Sequence, residues 1–148
     1  MPDILSELEQ NIVIALKSTN SLRNEVERKE NEKFDQLKDI SLGIIDILDS
    51  FERIEEGFVE KGINKSAEAG KIITRYTTVQ KRLHNLLQKY GITKIEFPDN
   101  RLIVGWCEVT ETEPDSGRNN DEIISIVRNG YIRGKVLIRA AQIVAVKN

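Results

Sequence analysis

The sequence is poor in the residues that support cross-linked, aromatic-rich or membrane-spanning folds. It has one cysteine, one tryptophan and three prolines, and aromatic residues make up 5% of its 148 positions. A single cysteine excludes an internal disulfide and is typical of a reducing compartment. With so few aromatic residues, a large globular core is hard to build. No apolar run approaches the roughly 20 residues of a membrane helix, so no membrane partner is expected.

The N-terminal residues show no secretory signal, and the net charge gives no indication of nucleic-acid binding. The first seven residues, Met1–Glu7, are acidic and lack the apolar segment of a secretory signal. A cytoplasmic location is therefore the default expectation. The net charge is −2, so the global electrostatics favour no nucleic-acid partner.

Residues that commonly carry chemistry are scarce and scattered. His84 is the only histidine and stands among leucines, and Cys107 lies in a β-type run, where it reads as a small apolar residue. Three acidic residues from 111 to 115 lack the glycine and register of a calcium loop. No catalytic residue, metal site or cofactor is therefore predicted, and the protein is expected to act by binding.

Apolar residues recur at alternating spacings of three and four from residue 3 to about 60. This pattern predicts one helix about 80 Å long, and Pro2 and Asp3 suit its first turn. So narrow an apolar stripe needs a second helix to cover it, and a second copy of the chain is the obvious candidate. The predicted dimer interface on this helix consists of Leu8, Ile12, Leu22, Val26, Leu37, Ile44, Ile47 and Phe51.

The stripe is interrupted between Val26 and Leu37, where residues 28–33 are mostly charged. The spacing also slips by one residue here, which predicts a local change of supercoil pitch or a separation of the helices. The stretch is interpreted as a solvated weak point of the coiled coil. A contact surface for a partner is the alternative.

A second helix is predicted from Ser66 to Tyr90. Gly57, Gly62 and Asn64 mark the break before it, and Gly91 suits a left-handed C-terminal cap. Two such helical hairpins from a dimer would form a four-helix bundle. The interface residues predicted on this helix are Ile72, Tyr76, Val79, Leu83 and Leu86.

From residue 92 the sequence changes to short β-type runs. The predicted runs cover 92–97, 102–104 with 106–109, 123–127, 136–138 and 143–146, with a loop from Glu111 to Asp121. Asn129-Gly130 and Arg133-Gly134 are predicted turns between runs. The fold class is therefore α+β, with a dimerisation helix over 1–60, a second bundle helix over 61–91 and an all-β domain over 92–148.

Three segments in order resemble the GrpE family of nucleotide exchange factors. Residues 44–53, Ile-Ile-Asp-Ile-Leu-Asp-Ser-Phe-Glu-Arg, resemble its leucine-rich helical segment, and residues 87–95 resemble its junction into the β domain. The Gly130-Tyr131 pair, followed by residues 136–146, is similar to its C-terminal signature. The family's Phe-Asp-Pro and His-Glu-Ala motifs are not intact in residues 97–106.

The resemblance implies a homodimeric co-chaperone that accelerates ADP release from a DnaK-type chaperone. In the family, the β domain of one protomer wedges into the ATPase domain of the chaperone and the long helix also touches it. Carried over by alignment, the partner-binding residues are Arg53, Ile54, Gly57, Phe97, Val127, Lys135, Val136, Arg139 and Ala145.

Other interpretations of the same residues remain open. Arg139 could equally hold a carboxylate or backbone carbonyls at the base of the β domain, and Arg53 could be a solvated helix charge. The two absent motifs motivate an alternative function as runner-up, a coiled-coil dimeric adaptor that has no exchange activity.

Overall fold

The computed structural model describes residues 3–62 and 66–148, so the predicted roles of Pro2 and Asn64 lie outside the described residues. In these two ranges two helices precede six strands, which confirms the predicted α+β class. The chain divides into two compact units, Met1–Ile40 and Ser41–Asn148. The elements are α1 (Ile4–Glu60), α2 (Ala67–Lys89), β1 (Ile92–Lys94), β2 (Cys107–Glu113), β3 (Ile123–Arg128), β4 (Tyr131–Arg133), β5 (Val136–Arg139) and β6 (Ala141–Val146).

The first unit consists of the N-terminal part of α1. Asp3 caps this helix, because its Oδ1 accepts a hydrogen bond from the Leu5 backbone N–H at 3.2 Å. The apolar stripe is open from Leu8 to Val26. Leu8, Ile12, Leu22 and Val26 are each at least half exposed, whereas Leu37 is half-buried.

The charged stretch within the first unit is helical. Arg28 Nη1 lies 2.6 Å from Glu32 Oε1, and Lys29 Nζ lies 3.6 Å from Glu25 Oε1. Each pair joins residues one turn apart and is worth a few tenths of a kcal/mol when exposed. Local ion pairs therefore support the helix where the apolar stripe fails.

In the second unit, α1 has a buried face that the sequence analysis missed. Ser41, Ile45 and Leu48, spaced by four and three residues, are at most 1% exposed. Ile44, Ile47 and Phe51 of the predicted stripe follow a different face, and Ile47 is 50% exposed. The C-terminal part of α1 thus carries two stripes, one already covered by its own chain.

α1 ends at Glu60, close to the predicted end near residue 60, although Gly57, taken as one marker of the break, lies inside the helix. The termination comes at Gly62, whose φ is +66° and whose N–H donates to the Val59 carbonyl at 3.2 Å. A glycine is needed there because a left-handed backbone costs an L-residue about 1 kcal/mol or more.

α2 begins and ends as predicted. Ser66 is its N-cap and accepts from the Ala69 N–H at 3.1 Å, and Gly91, with φ of +78°, follows Tyr90. Tyr76 joins α2 to α1, since its ring lies 4.3 Å from that of Phe51 and its hydroxyl donates to the Phe51 carbonyl at 2.7 Å. Both side chains, predicted to face a second copy, therefore also hold the hairpin together within one chain.

Two three-stranded sheets form the β part. One has the order β1-β4-β5 and is antiparallel, and the other has the order β2-β6-β3, with β6 parallel to β2 and antiparallel to β3. The core of the second sheet is Ile123, Ala141, Ile143 and Ala145, with the half-buried Phe97, Leu102 and Cys107 packed against it.

Several predicted β boundaries are wrong. The first run ends at Lys94, and Leu102–Val104 is not a strand. Conversely, β2 extends to Glu113, into the segment predicted as a loop, because it pairs with the buried strand β6. Strand β4 was not predicted at all. These boundaries depend on pairing with strands that are distant in the sequence, so local residue preferences for β structure do not reveal them.

Asn129-Gly130 is not a hairpin turn. It connects β3 of one sheet to β4 of the other, whereas the turn at Gly134 does join the paired strands β4 and β5. A Cβ on Gly130 would lie 2.5 Å from the Ala141 nitrogen and 2.7 Å from Ile95 Cδ1. The close approach of these two segments therefore requires a glycine.

Candidate functional site

An open groove of about 330 Å³ lies between the C-terminal part of α1 and the sheet β2-β6-β3. Small-molecule sites are usually enclosed and mostly apolar, whereas this groove is shallow and rich in charge. It is better suited to the side chains of a protein partner. The groove is lined by Asp49, Glu52, Arg53, Glu56, Val127, Arg128 and Gln142.

Two of the predicted partner-binding residues meet in this groove. Arg53 reaches it from α1, and Val127, which is 60% exposed, reaches it from β3. Ile54, 47% exposed, and Gly57 follow Arg53 along α1. Arg53 on α1 and Val127 on β3 are 74 positions apart in the sequence but lie on one accessible surface.

The other predicted β residues lie elsewhere. Lys135 and Val136 are exposed at the β4–β5 hairpin of the first sheet and do not line the groove. Phe97 is half-buried against the core of the second sheet.

Ala145 does not lie on an accessible face, contrary to the prediction. Ala145 is 2% exposed and belongs to the core cluster on β6. The alignment placed it on an outer face, but β6 is the central strand of its sheet, and its residues 143–146 are all buried.

Arg139 makes an extensive set of contacts inside the chain. Its Nη1 and Nη2 donate to Oδ2 and Oδ1 of Asp49 at 2.6 and 2.9 Å, forming a bidentate pair. Its Nε and Nη2 also donate to the Asn129 carbonyl at 3.1 and 2.6 Å. With only 12% of its side chain exposed, Arg139 fits the alternative interpretation, in which it holds a carboxylate and a backbone carbonyl within the chain. We call Asp49, Arg128, Asn129 and Arg139 the latch.

Arg128 completes the latch at its exposed side. Its Nε donates to Asp49 Oδ2 and its Nη2 to Asp46 Oδ1, both at 3.0 Å. Burial alone raises the pKa of Asp49, but the hydrogen bonds from Arg139 and Arg128, with their positive charges, outweigh it and hold that pKa below its usual value. Asp49 is therefore ionised at neutral pH.

Sequence reasoning missed Asp49, Arg128 and Asn129 as members of this cluster. Asp49 and Arg139 belong to two of the segments that carry the family resemblance, and they have opposite charges. These opposite charges were the feature of the sequence from which the Asp49–Arg139 pair could have been predicted. Their separation of 90 residues hides the contact from any local pattern.

A second polar cluster lies one turn further along α1. Glu52 accepts hydrogen bonds from Asn129 Nδ2 at 2.9 and 3.0 Å and lies 3.7 Å from Lys94 Nζ. Burial and the nearby Lys94 charge lower the pKa of His84, with Glu52 opposing them. His84 is thus a neutral neighbour of this cluster at neutral pH.

The described residues contain neither a metal-binding cluster nor a membrane-spanning helix. Within residues 3–62 and 66–148, no cluster of three or more histidine, cysteine or acidic side chains is placed to hold a metal ion. Across the same ranges, neither helix is both long and apolar enough to cross a bilayer.

The predicted dimer residues on α2 vary in exposure. Ile72, Val79 and Leu86 are 63%, 46% and 42% exposed, and Leu83 is half-buried. On α1, Ile44 is half-buried. Phe51 and Tyr76 pack on each other, so the exposed members of the predicted set on α2 are Ile72, Val79 and Leu86.

The fold is that of an α+β protein with a long helix, a second helix and a small β part of two sheets. The sequence model described as GrpE matches residues 4–147, nearly the whole chain. The chain belongs to the GrpE family, whose members are nucleotide exchange factors of DnaK-type chaperones. A comparison with curated proteins found no match.

Proposed function

We propose that this protein accelerates ADP release from a DnaK-type chaperone by wedging open its ATPase domain. The observation that carries the proposal is the shared groove of Arg53 and Val127, two residues assigned to chaperone contact from different elements. Membership of the GrpE family supplies the class of partner and of activity.

The mechanism requires only differential binding. A factor that binds the open ATPase domain better than the closed one lowers nucleotide affinity by the same coupling free energy. A thousandfold loss of nucleotide affinity corresponds to about 4 kcal/mol, which an interface of standard size can supply. The groove and the exposed β4–β5 hairpin are the surfaces proposed to provide it.

We further propose that two copies pair through α1 and α2. The apolar stripe on the first unit is at least half exposed at Leu8, Ile12, Leu22 and Val26. Such a stripe, continued along the helix, is typical of a surface covered by another helix. The exposed Ile72, Val79 and Leu86 on α2 would then contribute to a four-helix bundle.

The proposed activity is tested by the release rate of a fluorescent ADP analogue from the cognate chaperone. The wild-type protein should accelerate release, and Arg53→Ala should weaken the acceleration about tenfold, as expected for an arginine that anchors an interface. Arg75→Ala is the matched control, because Arg75 is an exposed helical arginine outside the groove. It should behave as wild type.

Failure of the wild-type protein to accelerate release from the cognate chaperone would contradict the proposal. A stable dimer that retains partners other than a heat-shock ATPase would then support the adaptor alternative. Equal losses in Arg53→Ala and Arg75→Ala would leave exchange intact as a function but remove the groove as its contact surface.

A further inference from the structure

The β part is joined to α1 by directional polar contacts centred on one carboxylate. Asp49 is 11% exposed, and its two oxygens accept three hydrogen bonds, two from Arg139 and one from Arg128. Ile45 and Leu48, which flank Asp49 on α1, are fully buried, but apolar burial is non-directional. Apolar burial holds two surfaces together without fixing their angle, whereas a bidentate arginine–carboxylate pair fixes it.

The Arg139 guanidinium also ties the two sheets to the helix. Arg139 ends β5 of the first sheet, and the Asn129 carbonyl that it contacts lies on the connection from β3 of the second sheet. One side chain therefore links α1 to both sheets. The Asn129 side chain adds its own hydrogen bonds to Glu52.

The latch adjoins the groove proposed for the chaperone. Asp49 and Arg128 line the groove together with Arg53 and Val127. Arg53 lies one helical turn after Asp49, and Val127 directly precedes Arg128. A change in the Asp49–Arg128 contact would therefore alter the spacing between the helix wall and the β3 wall.

We propose that Asp49 and Arg139 are positioning residues, which set the orientation of the β part on α1 and thereby the geometry of the chaperone-binding groove. This inference rests on the proposed exchange function. Neither residue needs to touch the chaperone. Their role is to hold the wedge at the angle at which it opens the ATPase domain.

The first test compares Asp49→Asn and Arg139→Lys with wild type in the ADP-release assay, at a temperature where circular dichroism shows all proteins fully folded. Both should lower the maximal acceleration at saturating protein about tenfold. Arg139→Lys keeps the positive charge but cannot form the bidentate pair with Asp49. A lower acceleration in this variant therefore identifies geometry as the cause. Ile143→Val, in the core of β6, is the control for stability alone and should retain full acceleration.

The second test measures the orientation directly and does not depend on exchange. Spin labels at Glu60→Cys on α1 and Glu108→Cys on β2, in a Cys107→Ala background diluted with unlabelled protein, report the distance between these elements. A single narrow distribution is expected for wild type and Ile143→Val, and a broad one for Asp49→Asn.

The two readouts separate the possible failures. If wild type fails to accelerate release, the proposed function is lost, and the distance distributions still decide whether the latch orients the β part. A distance distribution in Asp49→Asn as narrow as that of wild type would show that the latch does not orient the β part. A maximal rate in Asp49→Asn and Arg139→Lys equal to that of Ile143→Val would overturn its role in exchange.

Discussion

At the scale of single residues, the charged side chains of the second unit divide into two groups. Arg53 is exposed at the groove and available to a partner, whereas Arg139 is largely buried and bound to Asp49. Both residues came from the same family resemblance, and only burial separates their roles. A buried charge that loses its partner costs far more stability than an exposed one. Substitution of Arg139 should therefore lower the stability of the fold much more than substitution of Arg53.

The depressed pKa of Asp49 predicts how the latch responds to acid. Because this pKa is lower in the folded than in the unfolded state, Asp49 contributes stability above about pH 4, and the contribution is lost as pH falls through the folded pKa. Asp49→Asn should therefore lower the free energy of unfolding by about 2 kcal/mol at pH 7, with a difference that shrinks below pH 4. Urea denaturation at several pH values measures it.

Asp46→Asn is the control for this prediction. The Asp46 carboxylate also contacts Arg128 and Arg139 but is 67% exposed. Its removal should change the unfolding free energy by less than about 1 kcal/mol. A pH-independent difference between wild type and Asp49→Asn would show that the carboxylate charge does not stabilise the fold.

At the scale of elements, helices were easier to predict than strands. The ends of α2 followed from Ser66 and Gly91, because caps act on the adjacent turn. Strand β4 and the extension of β2 depend on pairing with β1, β5 and β6, which are distant in sequence. The acidic, threonine-rich end of β2 reads locally as a loop and becomes a strand only beside β6.

Gly130 tests the packing of the two sheets against each other. An alanine there would place its Cβ 2.5 Å from the Ala141 backbone nitrogen, so Gly130→Ala should cost about 2–3 kcal/mol of unfolding free energy. Gly43→Ala in α1, with nothing within 4 Å of the added Cβ, should instead stabilise by about 0.5–1 kcal/mol. Urea midpoints followed by circular dichroism distinguish the two signs. A neutral Gly130→Ala would contradict the close approach of the segments.

At the scale of the whole molecule, the exposed apolar stripe on α1 bears on how copies of the protein assemble. The stripe on the first unit is exposed at Leu8, Ile12, Leu22 and Val26, and burying it in a second copy would remove these side chains from water. Each fully buried side chain of this kind contributes roughly 1.5–3 kcal/mol. Pairing of two copies is therefore the expected state in solution.

Leu22→Glu tests the pairing. A carboxylate from each copy would enter the predicted interface, so the dimer dissociation constant should rise about a hundredfold or more, as measured by sedimentation equilibrium. Asn24→Glu adds the same charge outside the predicted stripe and should leave the constant nearly unchanged. A wild-type protein that sediments as a monomer at micromolar concentration would refute the predicted interface.

The sequence by itself determined the long helix, the capped second helix, the change to β structure after Gly91 and the family. These features depend on residues three or four positions apart or on short ordered motifs, which a linear sequence displays directly. Only the tertiary structure decided that Ala145 is buried, that Arg139 binds Asp49, and that Arg53 and Val127 share a groove. Burial and charge pairing between residues 74 to 90 positions apart depend on how the strands fold back onto α1.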